Sequence, residues 1–309
     1  MALTVLKPGV QATLQAAPRR GTRHLGVPAS GPADPLSMAL ANRLVGNAAD
    51  ACALEMPLGM MVFEVDADCT LAFAGAEAVI DANGQALPMH TTARVRAGAQ
   101  LTIGAPEAGA RIYMAVAGGF EADEFLGSVS TCLPAGFGGH GGRALRTGDM
   151  LELRGAGQFT DTLGTPAAMR QTFLHGFALR CVPGPDAGLL PEGTTDQEFT
   201  ATRRADRTGI EVAGPWPEPA EGSLKPSAPV FPGTVQLTPS GNAFILLPDS
   251  QTTGGYPHIL QVINADRHLL GQIRPGDRIR FLKRTPDEAA EDLRRKTNWF
   301  REWLPDVRF

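Results

Sequence analysis

Apolar and polar residues alternate in short runs along most of the chain. Arg94-Val95-Arg96, Gln100-Leu101-Thr102-Ile103, Met150-Leu151-Glu152-Leu153 and Arg278-Ile279-Arg280-Phe281 each repeat with a period of two. That is the pattern of a half-buried strand. Arg111 to Val116 (RIYMAV) is more continuously apolar and reads as a buried strand, ended by Gly118-Gly119. Two segments carry a helical period instead. In the first, Asp34 is an N-cap, Pro35 takes the first helical position, Leu36, Leu40 and Leu44 recur at four-residue spacing, and Gly46 ends the turn. In the second, Thr285, Pro286 and Glu288 make a capping box ahead of an apolar face of Ala289, Leu293, Phe300 and Leu304. That face serves either the rest of the chain or a partner.

With 36 Gly and 25 Pro, turns come often, and the reading is a mainly β chain with few helices. Leu145-Arg-Thr-Gly-Asp-Met-Leu-Glu-Leu153 echoes Ile273-Arg-Pro-Gly-Asp-Arg-Ile-Arg-Phe281, a Gly-Asp turn before an alternating strand in both cases. The echo suggests two related β domains, 1–160 and 161–309, the second ending in the C-terminal helix. Pro183-Gly184-Pro185 opens the second half, and Pro215 to Pro219 and Pro226 to Pro232 read as loops within it.

Composition narrows the function more than the fold. The 309 residues are 43% hydrophobic, enough for a substantial core, and the net charge of -4 with no basic block argues against nucleic acid or an anionic membrane as partner. Lys7, Lys225, Lys283 and Lys296 are the only lysines, so the cations are mostly Arg, which suits fixed contacts to carboxylate or phosphate. Cys52, Cys69, Cys132 and Cys181 form no zinc signature and read as small buried residues; no metal site is identified. The start, MALTVLKPGV, has no apolar signal region, no stretch has the length of a membrane span, and a cytoplasmic setting is the default expectation. Nor does the chain contain a G-x-x-x-x-G-K-[ST] loop, a G-x-G-x-x-G turn, a Met-Lys-Met biotin site, a G-x-S-x-G elbow or an H-E-x-x-H pair. The six His residues, 24, 90, 140, 175, 258 and 268, lie apart without ligand spacing. An activity of this chain is therefore expected to draw on groups from another chain.

Four runs carry candidate chemistry, each with a structural alternative. Leu247 to Pro257 follows a strand at Phe244 to Leu247 with Asp249, Ser250, Gln251, Thr252 and Thr253, then Gly254, Gly255 and Tyr256. Its N–H and hydroxyl donors suit a carboxylate or a developing oxyanion, with the glycines admitting a ligand close to the backbone. The alternative is a long turn held by its own side chains. His24 to Asp34 places Ser30-Gly31 before a helix start, a potential anion site, unless Ser30 merely shapes the turn and Asp34 merely caps. Asn42, Asn47 and Glu55 follow, and Glu55 lies among apolar neighbours, where an acid is paired, functional or bound to a backbone turn. Arg207, in Asp206-Arg207-Thr208-Gly209, either clamps a ligand carboxylate or pairs with an internal Asp to hold a loop. Gln272, polar within an apolar strand approach (Leu269, Leu270, Ile273), must find a partner.

Taken together these runs resemble a known family. Residues 249–281 (DSQTTGGYPHILQVINADRHLLGQIRPGDRIRF) are similar to the C-terminal signature of the allophanate hydrolase subunit 2 family, whose members are also called the C component of 5-oxoprolinase or urea-amidolyase-related. Residues 24–55 resemble its N-terminal signature, 118–149 its central one, and PGTVQLTPSG (232–241) also fits, so the likeness runs to about Phe281. It implies two cyclophilin-like β-barrel domains. It also implies a small amide substrate, 5-oxo-L-proline, opened to L-glutamate with ATP together with an A component and a homologous B component. The ATP site is then shared with or located on a partner, and no biotin is attached to this chain. Related alternatives are the carboxyltransferase half of a urea-carboxylase-like, biotin-dependent enzyme and a non-enzymatic antagonist of a B-like sensor-kinase inhibitor.

Under this likeness Tyr256, Asp249 and Gln251 are the expected catalytic groups, with Tyr256 or Asp249 relaying a proton. Arg207, Thr252, Thr253, Gly254, Gly255, Gln272, Ser30, Gly31, Asp34, Asn42 and Glu55 are the expected substrate-binding groups. The sequence departs from the family at Ala16 (usually Asp), Pro18 (usually Gly), Val129 (usually Arg) and Thr208 (usually Met).

Overall fold

Short strands separated by turns make up most of the regular structure in the computed structural model, which describes residues 1–155, 159–218 and 225–307. The expected loop at Pro215 to Pro219 thus has its last residue outside the described residues. The chain forms two compact units. The first contains Met1–Arg19, Ser30–Phe173 and the stretch that begins at Phe300; the second contains Arg20–Ala29 and Leu174–Trp299. No single cut separates them, because Arg20–Ala29 leaves the first unit to join the second.

In the first unit the strands lie in two sheets. One runs in the order Met150–Glu152, Ala2–Pro8, Met61–Val65, Gln100–Ile103, Ile80–Ala82, Gln85–Leu87; the other runs Thr13–Gln15, Ala53–Pro57, Arg111–Val116, Cys69–Gly75, Ala93–Val95. The strand Arg111–Val116 spans the predicted residues and is buried throughout. The helix Pro35–Leu44 lies against it and against Cys69–Gly75, covering one face of that sheet. Asp34 caps this helix by accepting the Ser37 N–H at 3.0 Å, and Leu36, Leu40 and Leu44 are fully buried. Each of those leucines contributes on the order of 1.5–3 kcal/mol.

The second unit is a closed barrel of seven strands, in the order Gly176–Pro183, His258–Val262, Thr234–Leu237, Ala243–Leu246, Gly209–Ala213, Phe199–Ala205 and Arg278–Lys283. Arg278–Lys283 closes it by pairing in parallel with Gly176–Pro183. Closure removes exposed strand edges. Trp216 is buried and stacks on Phe199, with ring centroids 4.1 Å apart and its Nε1–H on the Val212 carbonyl. The C-terminal helix Pro286–Phe300 starts with the predicted capping box: Thr285 N–H meets Glu288 at 2.8 Å, and Glu288 N–H meets the Thr285 hydroxyl at 3.2 Å. Polar contacts tie it down, Asp292 to Arg180 at 2.8 Å and Lys296 to the Ala265 carbonyl at 2.8 Å, while Leu293 is only half-buried.

The two Gly-Asp turns are built alike. Asp149 accepts the Arg146 N–H at 2.7 Å, and Asp277 accepts the Arg274 N–H at 2.8 Å. One sequence expectation changes here. Gln272 does not approach a strand; it ends the 3-10 helix Asn264–Gln272, in which Ala265, Leu270 and Gln272 itself are buried.

Candidate functional site

The polar run of the second unit leaves the barrel strand Ala243–Leu246 and is anchored at once. The Asp249 carboxylate receives both Nε (2.8 Å) and Nη2 (3.1 Å) of Arg207, and the two side chains are 0% and 1% exposed. The backbone is tied at the same place, Asp249 N–H to the Arg207 carbonyl at 3.0 Å and Leu247 N–H to the Thr208 carbonyl at 2.9 Å. Arg207 and Asp249 thus form the internal pair that the sequence allowed as the alternative, a forked and doubly charge-assisted strut. In this arrangement they position the loop.

Beyond Ser250 the loop residues are exposed or half-buried up to Tyr256. Ser250 is buried, and its hydroxyl has no hydrogen-bond partner among the described residues. Gln251, Thr253 and Tyr256 are exposed, Thr252 is half-buried, and Tyr256 is 41% exposed. Gln236 holds both ends of the loop: its Oε1 accepts Gln251 Nε2 at 3.3 Å, and its Nε2 donates to the Tyr256 carbonyl at 3.2 Å. Gln236 lies between Val235 and Leu237 in a strand, a buried polar group that needs a partner, and no motif of the sequence marks it.

The glycines have a conformational reason of their own. Thr253–Gly254 pairs with Ala228–Pro229, and a Cβ at Gly255 would lie 2.7 Å from the Lys225 carbonyl oxygen. One at Gly254 would lie 2.9 Å from Gln236 Nε2. It is the protein's own chain that approaches these glycines closely.

The first unit contains a second polar cluster, fully buried. Glu55 and Tyr113 face each other across antiparallel strands. Glu55 accepts the Tyr113 hydroxyl at 2.6 Å, the Ala33 N–H at 2.8 Å and Arg111 Nε at 3.2 Å. Tyr113 in turn accepts the Asp34 N–H at 2.8 Å, and Asp34 takes the Ser37 hydroxyl at 2.6 Å. Burial, and then the nearby charges of Glu55 and Asp34, push the Tyr113 hydroxyl well above its ordinary pKa. It stays a protonated donor. Ser30 and Gly31 are both left-handed, at φ 55° and 92°, and the buried Ser30 hydroxyl has no partner among the described residues. A Cβ at Gly31 would lie 3.1 Å from Pro18 Cβ.

This helix start is already supplied with carboxylates, from Asp34 and Glu55, so it disfavours a second anion. Asn42 joins neither cluster. It clasps the turn after its helix, bonding Ala49 and Ala51 carbonyls at 3.3 and 2.9 Å and accepting Asn47 at 3.1 Å. In the sequence Arg111 and Tyr113 stand out only as members of a strand. Their signal was two polar groups at i and i+2 on a strand otherwise apolar.

Chemically, the second unit offers an exposed amide, hydroxyls and a phenol on a loop held rigid from below, which suits hydrogen bonding to a small polar ligand. The first unit offers a closed network with its donors and acceptors engaged.

Comparison with known proteins places the chain. The family described as carboxyltransferase domain, subdomain A and B, matches residues 25–283. The C component of 5-oxoprolinase from Escherichia coli (strain K12) is 34% identical over 97% of this chain and 97% of its own length. The protein of the same name from Haemophilus influenzae is 33% identical over 93% of this chain and 92% of its own. The solved structure of Kluyveromyces lactis urea amidolyase superimposes with a TM-score of 0.88 at 26% identity, covering 96% of this chain. The chain spans only 20% of that much longer protein. It belongs to the carboxyltransferase domain, subdomain A and B, family.

Proposed function

We propose that this chain is the C component of an ATP-dependent 5-oxoprolinase, opening 5-oxo-L-proline to L-glutamate with an A component and a homologous B component in the cytoplasm. One observation carries the reading: the likeness to two proteins named as the C component of 5-oxoprolinase runs nearly end to end in both directions. ATP supplies the driving force at a site on, or shared with, a partner component. On this chain, opening the lactam calls for donors aimed at the amide oxygen as negative charge develops there. Gln251, Thr252, Thr253 and the Gly254–Gly255 backbone are the proposed binding face, and the Tyr256 hydroxyl moves the proton. Arg207 and Asp249 hold that face in place.

The test is co-expression with the A and B components, size-exclusion chromatography, and assay of 5-oxoproline-dependent ATP hydrolysis together with glutamate formation. The expected result is a complex that turns over, while this chain alone does not. A folded chain that elutes apart from both other components at micromolar concentration, or a complex that forms glutamate equally well without this chain, overturns the proposal.

A second reading draws on the structural likeness to urea amidolyase. This chain then serves a biotin-dependent carboxyltransferase acting on a urea-like substrate. Turnover that requires a biotinylated carrier and ignores 5-oxoproline selects it.

A further inference from the structure

The amide of Gln236 is fixed in direction. The residue lies on the barrel strand Thr234–Leu237 and is 1% exposed. One corner of its amide meets the Tyr256 carbonyl at 3.2 Å, and the other meets the Gln251 side chain at 3.3 Å. A backbone carbonyl can only accept, so the corner at Tyr256 must be the Nε2 donor. That leaves Oε1 for Gln251. An amide oxygen also only accepts, so Gln251 must turn its Nε2 toward Gln236; the opposite orientation sets two oxygens against each other. The direction of an exposed side-chain amide is thereby set by a backbone carbonyl two hydrogen bonds away.

The surroundings keep this relay in place. Thr253–Gly254 pairs with Ala228–Pro229, and the Val230 N–H donates to the Thr252 carbonyl at 3.1 Å. Gly254 packs on the Gln236 amide, where a Cβ would lie 2.9 Å from Nε2 and 3.4 Å from Oε1. The first unit contains a similar relay, from Asn42 to Asn47, and there the last oxygen is closed: Asn47 Oδ1 accepts the Gly118 N–H at 2.9 Å. The relay in the second unit ends open. Gln251 is exposed, and its Oε1 accepts no hydrogen bond from the described residues. With Nε2 turned to Gln236, the corner turned away is an acceptor, and its complement is an N–H. A lactam carries one beside the carbonyl that Thr252, Thr253 and the Gly254–Gly255 backbone are proposed to hold.

We propose that Gln251 Oε1 accepts the N–H of a ligand that bears it next to a carbonyl, and that Gln236 is the positioning residue that fixes this specificity. The inference rests on the reading of the Gln251–Tyr256 loop as the binding face for 5-oxoproline.

The experiment is calorimetric titration of the reconstituted complex, with a non-hydrolysable ATP analogue present. The probes are 5-oxoproline and the matching lactone, in which a ring oxygen replaces the N–H. The wild type is expected to bind the lactam tighter by about tenfold, the worth of one neutral hydrogen bond with the oxygen–oxygen repulsion added. Gln236→Met lets Gln251 turn either end outward, so the preference is expected to fall to about twofold or less. Gln236→Glu keeps an acceptor opposite Gln251 and is expected to retain the preference. A merely structural role for Gln236 weakens both ligands alike and leaves their ratio unchanged. Should Gln236→Met fail to fold, Gln251→Met changes an exposed side chain and is expected to remove the preference by itself. Equal wild-type affinity for lactam and lactone overturns the proposal, as does a preference that survives Gln251→Met or a folded Gln236→Met; in these cases the binding face stands. If neither probe binds the wild type, the 5-oxoproline reading of the face falls and the proposal falls with it.

Discussion

Replacing Asp249 by Ala takes a forked carboxylate from the Arg207 guanidinium, which is 1% exposed, and replacing Arg207 by Ala takes the guanidinium from a carboxylate that is 0% exposed. Truncating one side of a buried, hydrogen-bonded ion pair costs about 3–5 kcal/mol, because the surviving charge loses its forked partner in a site closed to water. For a unit of this size that lowers Tm by roughly 6–20 °C. The double substitution removes both charges, so it is expected to cost no more than the worse single one, giving a coupling of about 3 kcal/mol. Urea unfolding followed by tryptophan fluorescence suits the measurement, since Trp216 is buried in the same barrel. Steady-state kinetics of the reconstituted complex supply the other half. If Arg207 gripped the substrate carboxylate directly, Arg207→Ala would raise KM and leave stability near wild type. Two single variants both within about 1 kcal/mol of wild type refute the strut.

Three further outcomes are expected. Tyr256→Phe alters a side chain that is 41% exposed, so stability is expected to change by less than about 0.5 kcal/mol while kcat of the complex falls at unchanged KM; an unchanged kcat removes Tyr256 from proton transfer. Gly255→Val places a Cβ 2.7 Å from the Lys225 carbonyl, costing about 1–3 kcal/mol, and hydrogen exchange is expected to quicken at Val230 and Gly254; unchanged exchange and Tm contradict it. His90 is buried, and desolvation followed by the Arg170 charge holds its imidazole down at about 4 against an ordinary 6.5. The unfolded chain then takes up the proton first, so stability is full above pH 6.5 and is lost as pH falls toward 4, by about 3 kcal/mol from this residue. His268, also depressed by burial and by Lys296, acts in the same direction. His90→Asn keeps the left-handed backbone at φ 59° tolerable and is expected to flatten the acid slope; an identical slope disproves the assignment.

What the sequence made legible was local. The strands Gln100–Ile103 and Arg111–Val116, the Asp34 cap and the Thr285 capping box each follow from signals within a few residues, and the structure has them where the signals are. The Gly-Asp echo was legible for the same reason: an aspartate bonding the N–H three residues back is a turn written in its own sequence. Pairing was not. Tyr113 meets Glu55 only through strand register, and Arg207 meets Asp249 only because Gly209–Ala213 and Ala243–Leu246 are neighbours in the barrel. An arginine fork fits a ligand carboxylate and a protein carboxylate equally well, so the motif alone could not say which one Arg207 holds. The double glycine was ambiguous in the same way, since what approaches it closely is a chain segment distant in sequence.

The same distinction bears on the departures from the family pattern. By the resemblance drawn from the sequence, Ala16 and Val129 replace an acid and an arginine, and their segments adjoin: Ala16 N–H donates to the Ser130 hydroxyl at 3.0 Å, which donates back to the Ala16 carbonyl at 2.9 Å. Pro18 lies against Gly31 in the same unit. Thr208 contributes its backbone carbonyl to Leu247, a role open to any residue type. The losses of charge therefore gather in the first unit, while the strut and the exposed loop of the second keep their partners.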